Sequence, residues 1–367
     1  MSDENILVIA VDGLRASALG AYGNTSYSTP ALDQFAAESL LFDWCFAEST
    51  ELAAIYDELW GGTSLLLRTL AERGYATTLV TDDPVVAELP VAVAFSDRVE
   101  LPAGEPARAA SVAETSLAQL FSAAIEEIEA RQSELRMIWV HVRGMHGPWD
   151  APLELQEELL AREEGDPPPQ DELRSPNLVL TATSDPDLAF RASCAYAAQV
   201  MSLDACIAGV CDAIEATGRE NWLVALCGVR GFPLGEHGRI GGVDSRLYAE
   251  QLHVPLVVRF PAGQHCLTRQ GQLSPLADLP ALLQQAAGGE LQPAQHSAVV
   301  SFDASGAQAI RTADWCLRSD LPNDDMGQRR SELYVRPDDR WEANDVAVLC
   351  PDVVDQLLAR LADASES

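Results

Sequence analysis

Residues 5–24 read NILVIAVDGLRASALGAYGN. From Ile6 to Val11 every position is apolar, and the run stops on Asp12 and Gly13. A strand that is apolar at every position, not at every second one, has both faces buried, as strands do in a parallel sheet covered on both sides. Largely apolar runs without strict alternation return in ATTLVTD (76–82), RMIWVHV (136–142), WLVALCG (222–228) and HVPLVVRFP (253–261). Between these runs the apolar period becomes helical. TPALDQFAAESLLF (29–42) opens with Thr29 as a cap and Pro30 at the first helical position; TSLLLRTLAERGY (63–75) stops at Gly74. SVAETSLAQLFSAAIEEIEARQ (111–132) reads as a long amphipathic helix, and another covers 186–217. Strands alternating with helices predict an α/β fold built on a largely parallel sheet.

Beyond LSPLADLPALLQQAAGG (273–289) the strand candidates become short and more polar: SAVVSF, ADWCLRS and SELYVRP, closed by the helix PDVVDQLLARLAD (351–363). The expected division is an α/β/α domain over 1–290 and a small C-terminal antiparallel sheet with a terminal helix over 291–367. REEGDPPPQDELRSPN (162–177) reads as a solvated acidic loop.

The formal charge is −32, and all 24 basic residues are arginine. Nucleic acid and anionic membrane surfaces are therefore not expected partners. The N-terminal segment lacks a basic export signal, and no apolar run is read as approaching the roughly 18 residues of a spanning helix. Eight cysteines without CxxC pairs read as buried free thiols in a reducing cytoplasm.

Several blocks, in order, resemble the sulfatase family of the alkaline phosphatase superfamily. They are the opening stretch, TPALDQFAAESLLF, LAERGYATTLVTD (70–82), WVHVRGMHGPWDAP (139–152), GVRGFPLGEHG (228–238), LYAEQLHVPLVVRFP (247–261), ADLPALLQQAAGG (277–289), and the tail RTADWCLRSD with SELYVRPDDRWEANDVA. The resemblance implies the alkaline-phosphatase-like three-layer α/β/α sandwich with a small C-terminal sheet. It also implies hydrolysis of sulfate or phosphate esters, with a carboxylate-bound divalent cation polarising the ester while a side-chain oxygen attacks.

A hard cation such as Ca²⁺ or Mg²⁺ takes about six oxygen ligands. Asp12 matches the family's first ligand, but the adjacent carboxylate position is Gly13, and the Asp-His or Asp-Asn pair of the later loop is Val229 and Arg230. Asp12 is thus a vestigial ligand, and no cofactor is expected. A guanidinium at 230 repels a metal ion and can itself become the counter-cation of Asp12; the competing reading is a surface arginine at a loop tip.

The nucleophile position is also degenerate: in FAESTELAAIYDELWGG (46–62) it falls on Glu51 counted back from Gly61 and on Leu52 counted forward from Phe42. Thr50 or Ser49 serves only if the alignment slips; otherwise their hydroxyls cap the helix that follows. His146 and His237 match pocket histidines of the family, and with Arg230 they form the expected anion-binding set. Both are open to a scaffold role. His141 reads as structural, Arg15 as a brace to loop carbonyls, and Asp204 as a residue that holds the fold.

The leading reading is a weak or non-catalytic protein on a hydrolase fold, with a small sulfate- or phosphate-ester anion as its possible ligand. Two alternatives stay open. One is an active hydrolase using Thr50 or another nonstandard nucleophile with Ca or Mg; the other is an interaction protein.

Overall fold

The computed structural model describes residues 4–61, 66–102, 106–130, 135–160, 172–217, 222–286, 292–319 and 331–365. Most of the acidic Pro-rich stretch, 162–171, and the expected domain boundary at 290/291 lie outside the described residues.

Fourteen strands are described: β1 (Asn5–Val11), β2 (Leu40–Phe46), β3 (Ala76–Thr81), β4 (Asp97–Glu100), β5 (Arg136–Val142), β6 (Asn177–Val179), β7 (Trp222–Gly228), β8 (Arg239–Gly241), β9 (His253–Arg259), β10 (Thr268–Pro275), β11 (Val299–Phe302), β12 (Gln308–Arg311), β13 (Trp315–Ser319) and β14 (Ser331–Val335). Eight form the central sheet, in the order β10-β2-β9-β7-β1-β5-β3-β4. Within it β9 runs antiparallel to both neighbours, and the other pairings are parallel. The sheet is mixed and mostly parallel, as the apolar runs predict.

Alternate residues of β1 feed two cores. Ile6, Val8 and Ala10 pack with Ile55, Leu59 and Leu283 on one face; Leu7, Ile9 and Val11 pack with Leu120, Phe121 and Leu203 on the other. Every β1 position is buried because helices cover both sides.

β11–β14 make a separate antiparallel sheet. It packs Ile310, Leu317 and Leu333 against Leu357 and Leu361 of the helix Pro351–Ser365.

Three expectations are corrected. The stretch 29–42 is not one helix: the helix ends at Ala37 and β2 begins at Leu40. β2 lies inside the sheet and needs apolar residues on both faces, so it continues the helix's apolar pattern without a break in composition. Thr29 makes no side-chain capping bond there. A cap comes instead from across the fold, where the Asp204 carboxylate accepts the Leu32 N–H at 2.8 Å; Asp204 therefore does hold the fold as read.

The helix Leu188–Ala216 is long and apolar enough to cross a membrane, contrary to the reading that no run approaches that length. Its most apolar window is 72% buried within this fold, which accounts for its composition as a core helix.

Candidate functional site

Open α/β sheets gather their sites where the parallel strands end at the carboxyl side. Here Asp12 follows β1, His146 follows β5 and Arg230 follows β7. The turns are tied together by backbone: Asp12 N donates to the Val142 carbonyl at 2.8 Å, Met145 N to the Asp12 carbonyl at 2.9 Å, and Val229 N to the Val11 carbonyl at 3.0 Å. Gly13 holds φ +78°, and a Cβ there would stand 2.7 Å from the Met145 Cβ. Packing as well as sequence thus closes the second carboxylate position.

Asp12 is fully buried, and Arg230 meets it with two parallel hydrogen bonds. Nε donates to Oδ1 at 2.8 Å and Nη2 to Oδ2 at 2.9 Å. The third guanidinium nitrogen, Nη1, donates to the Thr50 carbonyl at 2.6 Å. The Arg230 side chain is only 12% exposed, which removes the loop-tip reading. Burial pushes the Asp12 carboxyl up, but Arg230, with His146 and His141 behind it, holds it below its ordinary value. Burial likewise works against the Arg230 charge, and Asp12 more than restores it. The pair is ionised and internally neutral.

His146 stands beside this pair, with Nε2 3.8 Å from Asp12 Oδ1 and its ring 5.1 Å from that of Phe232. Burial lowers its pKa; Asp12 opposes the shift and Arg230 adds to it. The imidazole is therefore neutral near pH 7, and its contact with Asp12 is not an ion pair.

His237 is committed elsewhere. Its Nδ1 pairs with Glu250 Oε1 at 2.8 Å, its Nε2 with the Glu342 carbonyl at 3.0 Å, and its ring stacks on Tyr248 with centroids 3.5 Å apart. The expected anion set of Arg230, His146 and His237 is not assembled, because one His237 nitrogen is spent on Glu250 and the other on the segment after β14.

Thr50 is buried, at 1% exposure, and reaches Arg230 through its carbonyl. The capping expectation is also corrected. Glu51 is the N-cap of the helix Leu52–Trp60, and Ser49 Oγ accepts the Glu51 N–H at 3.1 Å in the preceding turn.

Arg15 donates to Glu236 Oε1 at 2.7 Å and more weakly to the Phe232 carbonyl at 3.4 Å, so its main partner is a carboxylate. This contact ties the loop after β1 to the loop after β7. Sequence reading missed Tyr56 and Asp83. The Tyr56 hydroxyl bonds His141 Nδ1, and Asp83 Oδ2 lies 3.6 Å from His141 Nε2. These residues are far apart in the chain, and nothing in their local patterns marks them.

The implied divalent cation does not fit this donor set. Both Asp12 oxygens face Arg230, and positions 13 and 229 offer no side-chain oxygen. Among the described residues, no group of three or more His, Cys, Asp or Glu side chains could hold a metal ion.

Solved structures share the fold at low identity. A phosphonate monoester hydrolase of Agrobacterium radiobacter is 17% identical, with a TM-score of 0.72 over 98% of this chain and 95% of that one. The phosphonate monoester hydrolase SpPMH from Silicibacter pomeroyi is 14% identical, with a TM-score of 0.74 over 98% and 95%. A protein solved with its substrate D-glucosamine-2-N,6-O-disulfate is 17% identical, with a TM-score of 0.72 over 99% and 98%. Among curated proteins, none matches this chain. The sulfatase family profile matches residues 4–289, from the strand that leads into Asp12 to the helix beyond β10. The chain therefore belongs to the sulfatase family.

Proposed function

We propose that this chain is a non-hydrolytic member of its family, in which a fixed guanidinium has taken the place of the catalytic cation. One observation carries the reading: the bidentate contact of Arg230 with Asp12. Ester hydrolysis on this plan needs a Lewis acid that draws charge from the ester oxygens and a nucleophile placed for in-line attack. Arg230 is charged, but Asp12 cancels that charge and Thr50 occupies a third nitrogen. Little field is left for a transition state, and the loss of preorganised electrostatics commonly costs orders of magnitude in rate.

The retained role is a binding one. The named hydrolase neighbours act on phosphonate esters, and another was solved with a sulfated sugar substrate, so a small anion held without turnover is the ligand we expect. Eight free cysteines, five of them buried, support a cytoplasmic setting.

The test is elemental analysis of the purified chain together with assays on nitrophenyl sulfate and nitrophenyl phosphate. The expected result is no stoichiometric Ca or Mg and no turnover that a chelator abolishes. Bound metal at unit stoichiometry with chelator-sensitive hydrolysis would overturn the reading and restore an active hydrolase.

A further inference from the structure

A second pocket, of about 540 Å³, opens where the edge of the central sheet meets the small sheet. Trp44 comes from β2, Gln272 from β10, His296 and Ser297 from the approach to β11, Ala313 from the β12–β13 turn and Arg336 from the end of β14. None of the residues around Asp12 lines it.

Arg336 distinguishes this pocket. Four arginines of little exposure have carboxylate partners: Arg230 has Asp12, Arg15 has Glu236, Arg311 has Glu342 at 2.9 Å and Arg318 has Glu332 at 2.7 Å, while buried Arg136 donates to the Glu127 and Ile128 carbonyls at the end of a helix. Arg336 is 9% exposed, yet among the described residues its one hydrogen bond is from Nη1 to the Thr312 carbonyl at 2.7 Å. Its guanidinium lies over Trp44 at 4.6 Å and Phe46 at 5.1 Å.

A buried charge without a counter-charge is costly, and native folds pair it. Burial and the like charge of Arg311 pull the Arg336 pKa down to about 10, and Cys316 and Glu342 offset only part of that shift. Among the described residues Nε and Nη2 find no acceptor, and Arg336 lines the pocket.

The carboxylates nearby are already matched: Glu342, which favours the Arg336 charge from a distance, is bound by Arg311. Asp278 is held by His296 at 2.7 Å, and Asp43 is held by Arg269. Ser297 Oγ accepts from Arg360 at 3.1 Å, which leaves its own proton free to donate. The net charge of −32 does not forbid an anion here, because at physiological salt distant charges are screened beyond about 8 Å.

We propose that this pocket is an oxyanion site, where Arg336 holds the phosphate or carboxylate end of a small molecule, with Ser297 and Gln272 as further donors. A guanidinium that lines an open pocket and has two nitrogens without an acceptor among the described residues suits either group. Because the lining comes from both sheets, occupancy stabilises their junction through binding to the folded state alone.

The experiment uses the full chain, with inorganic phosphate and acetate titrated separately against chloride at matched ionic strength. Binding is followed by calorimetry and by the midpoint of thermal unfolding. The expected result is saturable binding that raises the midpoint, with the tighter anion naming the group. Ala313→Glu puts a negative charge on an exposed rim residue without touching the core, and is expected to weaken binding at least tenfold. Arg336→Gln is expected to abolish it, and if that variant does not fold, Ala313→Glu and Gln272→Glu still decide the matter. The double change Asp12→Leu/Arg230→Met is expected to leave binding intact. Absence of saturable binding, equal affinity in Ala313→Glu and the parent, or binding lost in the double variant and kept in Ala313→Glu each overturns the proposal.

Discussion

Arg230 spans from the loop after β7 to Asp12 just beyond β1 and closes a two-point contact at 2.8 and 2.9 Å. The geometry is that of a strong, side-on guanidinium–carboxylate pair, and it joins two adjacent parallel strands at their carboxyl ends.

Breaking this pair from one side leaves a charge buried alone. Arg230→Ala is expected to destabilise the chain by about 3–5 kcal/mol, measured by urea denaturation, whereas Asp12→Leu/Arg230→Met, which removes both charges, costs far less. Losses in Asp12→Leu and Arg230→Met that add up to the loss in the double variant would show that the contact carries no coupling energy.

The same pair sets an acid limit. The folded-state pKa of Asp12 lies below its ordinary value of 3.8. Its contribution is therefore complete above that value and fades as pH falls through the lower, folded-state value. Unfolding free energy measured from pH 6 downward is expected to lose this slope in the Asp12→Leu/Arg230→Met variant. An unchanged acid profile in the variant would refute the assignment.

Restoring oxygen ligands separates sequence from packing as obstacles to a metal. Val229→Asp/Arg230→Asn frees Asp12 and adds a carboxylate, and calorimetry with Ca²⁺ is expected to detect binding that the parent lacks. Adding Gly13→Asp is expected to lower stability, because position 13 is left-handed and its Cβ would meet Met145 at 2.7 Å. Equal stability with and without the third change would mean that the turn can relax.

His237 is expected to report on docking of the small sheet. Its side chain joins Glu250 and the Glu342 backbone, and Glu342 pairs with Arg311 of β12. His237→Ala is expected to cost about 1–3 kcal/mol, the usual range for stranding a buried hydrogen-bonding partner. Proteolysis of the native protein should then cut first after β14; a cleavage pattern identical to the parent's would count against the link.

Several strands of the central sheet were readable because a doubly covered strand is largely apolar and does not alternate. WLVALCG and RMIWVHV coincide with β7 and β5 for that reason. β2 and β10 escaped notice. β2 follows a helix without a polar break, and β10 carries exposed polar residues along an edge strand.

The sequence by itself determined the family and the α/β architecture, and it placed Gly13, Val229 and Arg230 where the resemblance implies ligands, because these depend on residue type at fixed positions along ordered blocks. Only the tertiary structure decided what replaced them. A guanidinium can point to solvent or fold inward with equal ease on the page, and the choice rests on the distance to a carboxylate 218 residues away. His237 shows the converse. Its motif placed it in a pocket, but two hydrogen bonds and a stacked tyrosine give its ring to the scaffold, since a side chain goes to the partners that the fold brings within reach.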